Sequence, residues 1–95
     1  AMLSEKLGYT VIRIEASETW RDNYFAPLLS FAEALDITDG TETARACEEA
    51  VIDRLATSPR IVVIDEAHYA GRAALNLIKL VLNKTPSRVL MLAMP

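Results

Sequence analysis

The sequence predicts an α/β protein with three layers, in which helices cover both faces of a parallel β-sheet. Short segments rich in β-branched residues alternate along the chain with segments of helical periodicity. The two later strand segments are continuously apolar, which is typical of strands that are buried on both faces of a parallel sheet. Right-handed crossovers are expected to join the strands.

Composition narrows the class of protein further. The chain has 95 residues, of which 52% are hydrophobic, so we expect one packed domain and exclude intrinsic disorder. A net charge of −3 argues against a dedicated nucleic-acid-binding domain, which usually has a basic face. Cys47 is the only cysteine and His68 the only histidine, so neither a disulfide framework nor a zinc site is expected. No apolar stretch approaches the roughly 20 residues of a membrane span, and we expect a cytoplasmic protein without a membrane partner.

The first segments predict the end of a helix followed by a strand. Residues 2–7 have the pattern of the last helical turns, and Gly8 is a suitable residue to end them. Residues 9–15 alternate and are rich in β-branched side chains, which indicates a strand with Ile12 and Ile14 on one face.

Two helices are predicted next. Apolar residues recur at helical spacing over residues 20–35, and Pro27 must lie near the first turn because its ring is tolerated only there. Asn23 is the expected N-cap of this helix, which places Trp20 just outside it, in the core.

The second helix is predicted over residues 42–57, before the Ser58-Pro59 break. Asp39 and Glu42 resemble a loose capping box at its start. Cys47 falls on the inner stripe of this helix and is interpreted as a small buried hydrophobe.

The remaining segments predict a strand, a helix and a last strand. Residues 60–65 and the segment from Arg88 to Ala93 are the continuously apolar strands. Residues 72–83 form the helix between them, apolar on nearly all sides. Arg13, Arg60 and Arg88 are interpreted as surface residues at strand starts, away from any crevice.

Two adjacent acids mark the candidate site. In parallel sheets the ligand crevice lies at the carboxyl ends of the strands, and Asp65 and Glu66 directly follow an apolar strand. Asp65 could hold a hydrated Mg²⁺ through one carboxylate, and Glu66 could orient and deprotonate a water near a γ-phosphate. The alternative is that the pair caps a helix at a solvated loop end.

This segment resembles the Walker B element of AAA+ P-loop ATPases, with Asp65 at the Mg²⁺-associated acid and Glu66 at the catalytic glutamate. The resemblance covers residues 2–95, a single partial AAA+ core that lacks the P-loop strand, with residues 88–93 as the sensor-1 strand. The SETW segment (residues 17–20) and the run that joins DEAH to ALNLI are most similar to phage Mu B-type DNA transposition ATPases. The resemblance implies that ATP and Mg²⁺ are the cofactors of the complete protein, and DNA and a transposase its partners.

The sequence departs from the family in two ways. It has no G-x-x-x-x-G-K-[ST], and its three glycines are Gly8, Gly40 and Gly71. Met94 stands where the family's sensor-1 strand usually carries a polar residue. Because the backbone cradle and lysine that hold phosphates are missing, we expect this chain alone to bind Mg-ATP poorly and not to hydrolyse it. The family's glycine-rich loop is expected upstream of Met2.

Other functions remain open. Residues 65–68 spell DEAH, as in one class of helicase, but residues 92–95 lack the hydroxyls of the helicase Ser-Ala-Thr motif. A non-catalytic α/β interaction module that retains the ATPase scaffold is a third possibility. Ser17 and Glu18 are candidates for contacts with DNA or a partner, whereas Tyr69 and Arg72 are interpreted as solvated.

The strand order of the family leads to one further expectation. The order places the P-loop strand beside the sensor-1 strand. Without the P-loop strand, the strand from Arg88 to Ala93 forms an apolar edge of the sheet. Such edges are templates for pairing with other chains. We therefore expect the chain to self-associate through this strand.

Overall fold

The computed structural model describes residues 10–93. The predicted helix end at residues 2–7, its stop Gly8 and the sensor position Met94 lie outside the described residues. The strands are β1 (Thr10–Glu15), β2 (Arg60–Asp65) and β3 (Arg88–Met91); the helices are α1 (Phe25–Ala34), α2 (Ala44–Thr57) and α3 (Gly71–Lys84); and short 3₁₀ turns span Glu18–Trp20 and Ala67–Tyr69.

The strands form a parallel sheet in the order β1-β2-β3, with β2 in the centre. The α/β class and the parallel sheet are therefore as predicted. Both crossovers advance in the same direction across the sheet, so right-handed connections put all three helices on one face. These helices share one buried core with that face, and residues 10–93 thus supply one helical layer of the three-layer arrangement.

Burial alternates along the strands and differs between the two faces of the sheet. Ile14, Val62 and Ile64 are buried against the helices, whereas Val63 on the opposite face is only half-buried and Val11 is exposed. The expectation that β2 is buried on both faces is not met within residues 10–93. The reason is that the described helices all pack on the other side of the sheet.

The start of α1 agrees with the sequence prediction. The side chain of Asn23 accepts a hydrogen bond from the backbone N–H of Ala26 at 3.0 Å, as an N-capping residue does. Trp20 is 1% exposed and its indole N–H donates to the hydroxyl of Ser30 at 3.3 Å. Trp20 is therefore a core residue whose polar atom is satisfied.

The end of α1 is a Schellman motif that the sequence analysis did not predict. Asp36 adopts a left-handed conformation with φ of 57°, and the N–H of Ile37 donates to the carbonyl of Ala32 at 2.9 Å. The guanidinium of Arg54, on α2, donates to the carbonyl of Leu35 at 2.8 Å. The last turn of α1 is thus held by its own backbone and by the neighbouring helix.

The start of α2 differs from the prediction. Thr43, not the Asp39–Glu42 pair, is the N-cap: its extended backbone precedes the helix and its hydroxyl accepts from the N–H of Ala46 at 3.1 Å. Cys47 is fully buried on the inner face of α2, as expected, and burial raises the pKa of its thiol.

A buried hydroxyl pair joins the amino-terminal ends of β2 and β3 to the end of α2. The hydroxyl of Ser87 donates to the carbonyl of Leu55 and accepts from the N–H of Arg60, both at 3.0 Å. In a continuing helix the carbonyl of Leu55 would accept a hydrogen bond from the N–H of residue 59, but Pro59 has no N–H. Thr85 in turn accepts from the N–H of Ser87 at 3.1 Å.

The third helix is more amphipathic than predicted. Ala74, Leu77, Ile78 and Val81 are buried, whereas Leu75 and Leu82 are exposed along one flank. Among residues 10–93, no helix combines the length and apolar character that crossing a membrane requires.

Candidate functional site

The two predicted acids lie at the carboxyl end of the central strand. Asp65 is the last residue of β2, and Glu66 follows it directly. The backbone here is held from both sides: the N–H of Ala16, after β1, donates to the carbonyl of Asp65 at 2.9 Å, and the N–H of Ala67 donates to the carbonyl of Leu92 at 2.8 Å. The position of both acids at the tip of β2 is therefore as predicted.

Glu66 has a strained backbone. Its φ of 57° and ψ of 39° lie in the left-handed region, which residues other than glycine, asparagine and aspartate adopt at a cost. The carboxylate lies 3.4 Å from Nε2 of His68, and the His68 ring packs on Tyr69 with 4.2 Å between centroids. Glu66 adopts this conformation at the turn where the chain leaves the sheet, so the surrounding structure must offset its cost.

Neither acid caps a helix. Glu66 precedes the Ala67–Tyr69 turn without a side-chain hydrogen bond to it. The residue that precedes α3 is Ala70, and no side-chain cap bond is made there. The capping interpretation of the acid pair is therefore wrong, and the carboxylates make their contacts with other side chains.

Arg13 contacts the site, contrary to the sequence interpretation. The strand register aligns Arg13 with Val63, on the same face of the sheet as Asp65. Nε of Arg13 donates to Oδ2 of Asp65. This hydrogen bond, more than the charge attraction, lowers the pKa of Asp65 and raises that of Arg13. Arg13 therefore lies within β1 and not at a strand start, and its side chain reaches the carboxyl end of β2 diagonally.

A cleft of about 630 Å³ opens beside Glu66, which is within the size range of small-molecule sites. Its lining residues include Glu15, Glu18 and Glu66 but, among the described residues, no lysine or arginine. The hydroxyl of Ser17, which also lines it, lies 2.6 Å from that of Thr19. Ser17 and Glu18 are therefore at the crevice, as predicted.

Tyr69 also lines this cleft and is half-buried, so its interpretation as a solvated residue is wrong. Arg72, in contrast, is exposed as expected.

The residues present fit Mg²⁺ only in part. The described residues contain no group of three or more acid, histidine or cysteine side chains able to hold a metal. Mg²⁺ bound with a nucleotide needs only one or two carboxylates, because phosphate and water fill its other positions. Asp65 meets that requirement, because it is a carboxylate at the carboxyl end of the central strand. Arg13, which now binds this carboxylate, would have to share or release it.

Comparison of the chain with protein-family models finds no match. Comparison with the sequences of curated proteins finds none either. Function is therefore inferred from the motif and the geometry around Asp65 and Glu66.

Proposed function

We propose that this chain is the Walker B-bearing part of an AAA+ ATP-hydrolysing protein that acts in DNA transposition or related DNA handling. The observation that carries the proposal is the placement of Asp65 and Glu66 at the tip of the central strand of a parallel sheet. The order β1-β2-β3 also agrees with the family's second, Walker B and sensor-1 strands as neighbours. The proposal includes a cytoplasmic location, with DNA and a transposase as partners of the complete protein.

Each acid has a distinct role under this proposal. Asp65 would hold Mg²⁺, and a bound Mg-ATP supplies the phosphoryl group and the charge neutralisation that its transfer needs. Glu66 would orient the attacking water and accept its proton as the general base. Arg13 donates a hydrogen bond to Asp65 that lowers the pKa of the carboxyl. A carboxylate that is an anion at neutral pH is what a bound cation requires.

The chain alone is expected to be inactive. The cleft beside Glu66 presents carboxylates to a ligand that is itself negative, and like charges repel. The 95 residues contain no glycine-rich phosphate loop to offset that repulsion. Calorimetric titration of the chain with Mg-ATP should therefore show no micromolar binding, and micromolar affinity would contradict this part of the proposal.

The decisive experiment concerns the gene and its complete product. We expect the coding sequence upstream of Met2 to encode, in frame, a G-x-x-x-x-G-K-[ST] segment. In the complete protein Glu66→Gln should retain Mg-ATP binding and lose hydrolysis by about 10²–10⁴-fold, the usual contribution of a general base. Glu18→Gln, on the rim of the same cleft, is the matched control and should leave hydrolysis within about twofold.

Two results would reject the ATPase proposal: no such loop upstream, or full hydrolysis by the Glu66→Gln protein. The acidic cleft then favours the second candidate, a non-catalytic interaction module. A helicase is distinguished by a second RecA-like domain beyond Pro95, where an AAA+ protein continues into a helical lid.

A further inference from the structure

Arg13 and Asp65 form a charged pair on the face of the sheet that points away from the described helices. The register aligns Arg13 with Val63, two positions before Asp65. It aligns Glu15 directly with Asp65, so these side chains share one face at the carboxyl ends of β1 and β2. Adjacent strands lie about 4.8 Å apart, which makes the two acids direct neighbours. Arg13 is thus one cation beside two acids.

The two partners of this pair differ in their freedom to move. Asp65 is held by its backbone, whose carbonyl accepts from the N–H of Ala16 at 2.9 Å, and its side chain is 27% exposed. The side chain of Arg13 is 70% exposed and, within residues 10–93, makes a single hydrogen bond, from Nε to Oδ2 of Asp65. A guanidinium that used both arms of its fork would hold the carboxylate more firmly. Arg13 can leave Asp65 for water at little cost, because exposed ion pairs are weak.

We propose that Arg13 occupies the Asp65 carboxylate until a divalent cation displaces it, so that Arg13 sets by competition how readily the site takes Mg²⁺. This inference rests on the proposed role of Asp65 as the Mg²⁺ ligand. Mg²⁺ requires a near-octahedral shell of oxygen atoms, which a guanidinium on the same carboxylate would crowd. The two cations would also repel each other at this range. Because the existing pair is exposed and weak, release of Arg13 costs less than sharing.

The surroundings of the pair explain why a cation is needed there when no metal is bound. Glu15 and Asp65 are neighbours of like charge, which destabilises a sheet unless a cation lies close. The other strand arginines, Arg60 and Arg88, lie at the amino ends of β2 and β3, at least four residues or about 13 Å along the strands from Asp65. Arg13 is therefore a positioning residue that neutralises Asp65 before the metal takes over that task.

Paramagnetic broadening by Mn²⁺ tests the competition in the 95-residue chain. Mn²⁺ prefers the same oxygen ligands as Mg²⁺, and traces of it should broaden the amide NMR signals of Glu66 and Ala67 in proportion to its occupancy at Asp65. Arg13→Gln should increase this broadening about two- to fivefold, which corresponds to the loss of an exposed ion pair. Arg88→Gln is the charge-matched control: Arg88 lies on the same face but about 13 Å away, and the broadening should be unchanged.

A second measurement follows Arg13 itself. Its Nε–H signal, identified by its loss in Arg13→Gln, should move toward the position of solvent-exposed arginines as Mg²⁺ is added at constant ionic strength. The midpoint should equal that of the Glu66 amide. A stationary Nε–H signal while the Glu66 amide responds, or equal Mn²⁺ broadening with and without Arg13, would overturn the displacement of Arg13 and leave the metal role of Asp65 intact.

Asp65→Asn separates that failure from a failure of the proposed function. This variant should lose the Mn²⁺ effect at Glu66 and Ala67, and it should do so with either residue at position 13. Broadening that persists in Asp65→Asn, or that is absent from the native chain and from Arg13→Gln alike, would contradict both the competition and the metal role of Asp65. The emission of buried Trp20 will report that each variant is folded.

Discussion

Ser87→Ala is expected to destabilise the fold strongly although it removes only one oxygen atom. The hydroxyl is the donor for the carbonyl of Leu55 and the acceptor for the N–H of Arg60, both at 3.0 Å. Ser87 is 4% exposed, so water cannot easily replace the lost oxygen. Both backbone groups would then be left without a partner in a region of low solvent access.

The magnitude follows from those two orphaned groups. A buried polar group without its hydrogen bond costs about 1–3 kcal/mol, so the two together lower the free energy of unfolding by about 2–6 kcal/mol. Small domains are stable by about 5–15 kcal/mol, and the loss is therefore a large fraction of the total. With a urea m-value of about 1–3 kcal/mol/M, a loss of 3 kcal/mol moves the midpoint by about 1–3 M.

Urea unfolding followed by tryptophan fluorescence is the appropriate assay, because Trp20 is the only tryptophan and is buried. Thr57→Ala is the control: Thr57 is exposed near the same corner and should shift the free energy of unfolding by less than about 0.5 kcal/mol. If Ser87→Ala changes stability no more than Thr57→Ala does, the two backbone groups do not depend on Ser87 and the reasoning is refuted.

Three other predictions test separate parts of the structure. Asp36→Gly should raise the free energy of unfolding by about 0.5–1 kcal/mol in urea, because glycine adopts the left-handed end of α1 without strain; destabilisation would contradict this. Burial, with a smaller effect from Glu48, raises the pKa of Tyr24 to about 12, so absorbance at alkaline pH should show one late-titrating tyrosine that Tyr24→Phe removes. The stability that protonated Tyr24 contributes is fully present below pH 10 and is lost as the pH rises toward about 12. The pKa of Asp65 is depressed from 3.8, so the stability that its carboxylate contributes is present above that pH and is lost below it as the carboxyl is protonated. Arg13→Gln should make the free energy of unfolding fall less steeply at acid pH. An unchanged acid transition would argue against the ion pair.

Much of the fold could be predicted because local patterns and tertiary packing agree. The bounds of β2 match the apolar run, and the alternation around Ile12 and Ile14 identifies the buried face of β1. Asn23 was recognisable as a cap because its side chain acts within three residues. The acids at the tip of β2 were predictable for the same reason: strand end and motif coincide.

The features that the sequence did not predict depend mostly on contacts between residues that are distant in sequence. The hydrogen bond of Arg13 to Asp65 spans 52 positions, and only the strand register reveals it. Ser87 reaches Leu55 across 32 positions, and the sequence shows only a helix-breaking Thr-Pro-Ser segment there. At α2 the cap is Thr43 and not the predicted Asp39–Glu42 pair, because the extended backbone that directly precedes the helix lies at Thr43.

The left-handed backbone of Glu66 has a consequence for engineering this protein. A residue held there costs about 1–3 kcal/mol, which glycine would largely avoid and asparagine would reduce. Screening libraries for heat resistance alone would therefore enrich glycine or asparagine at this position and discard its carboxylate. Thermostable variants obtained in that way should be sequenced at codon 66 before they are assayed for any chemistry.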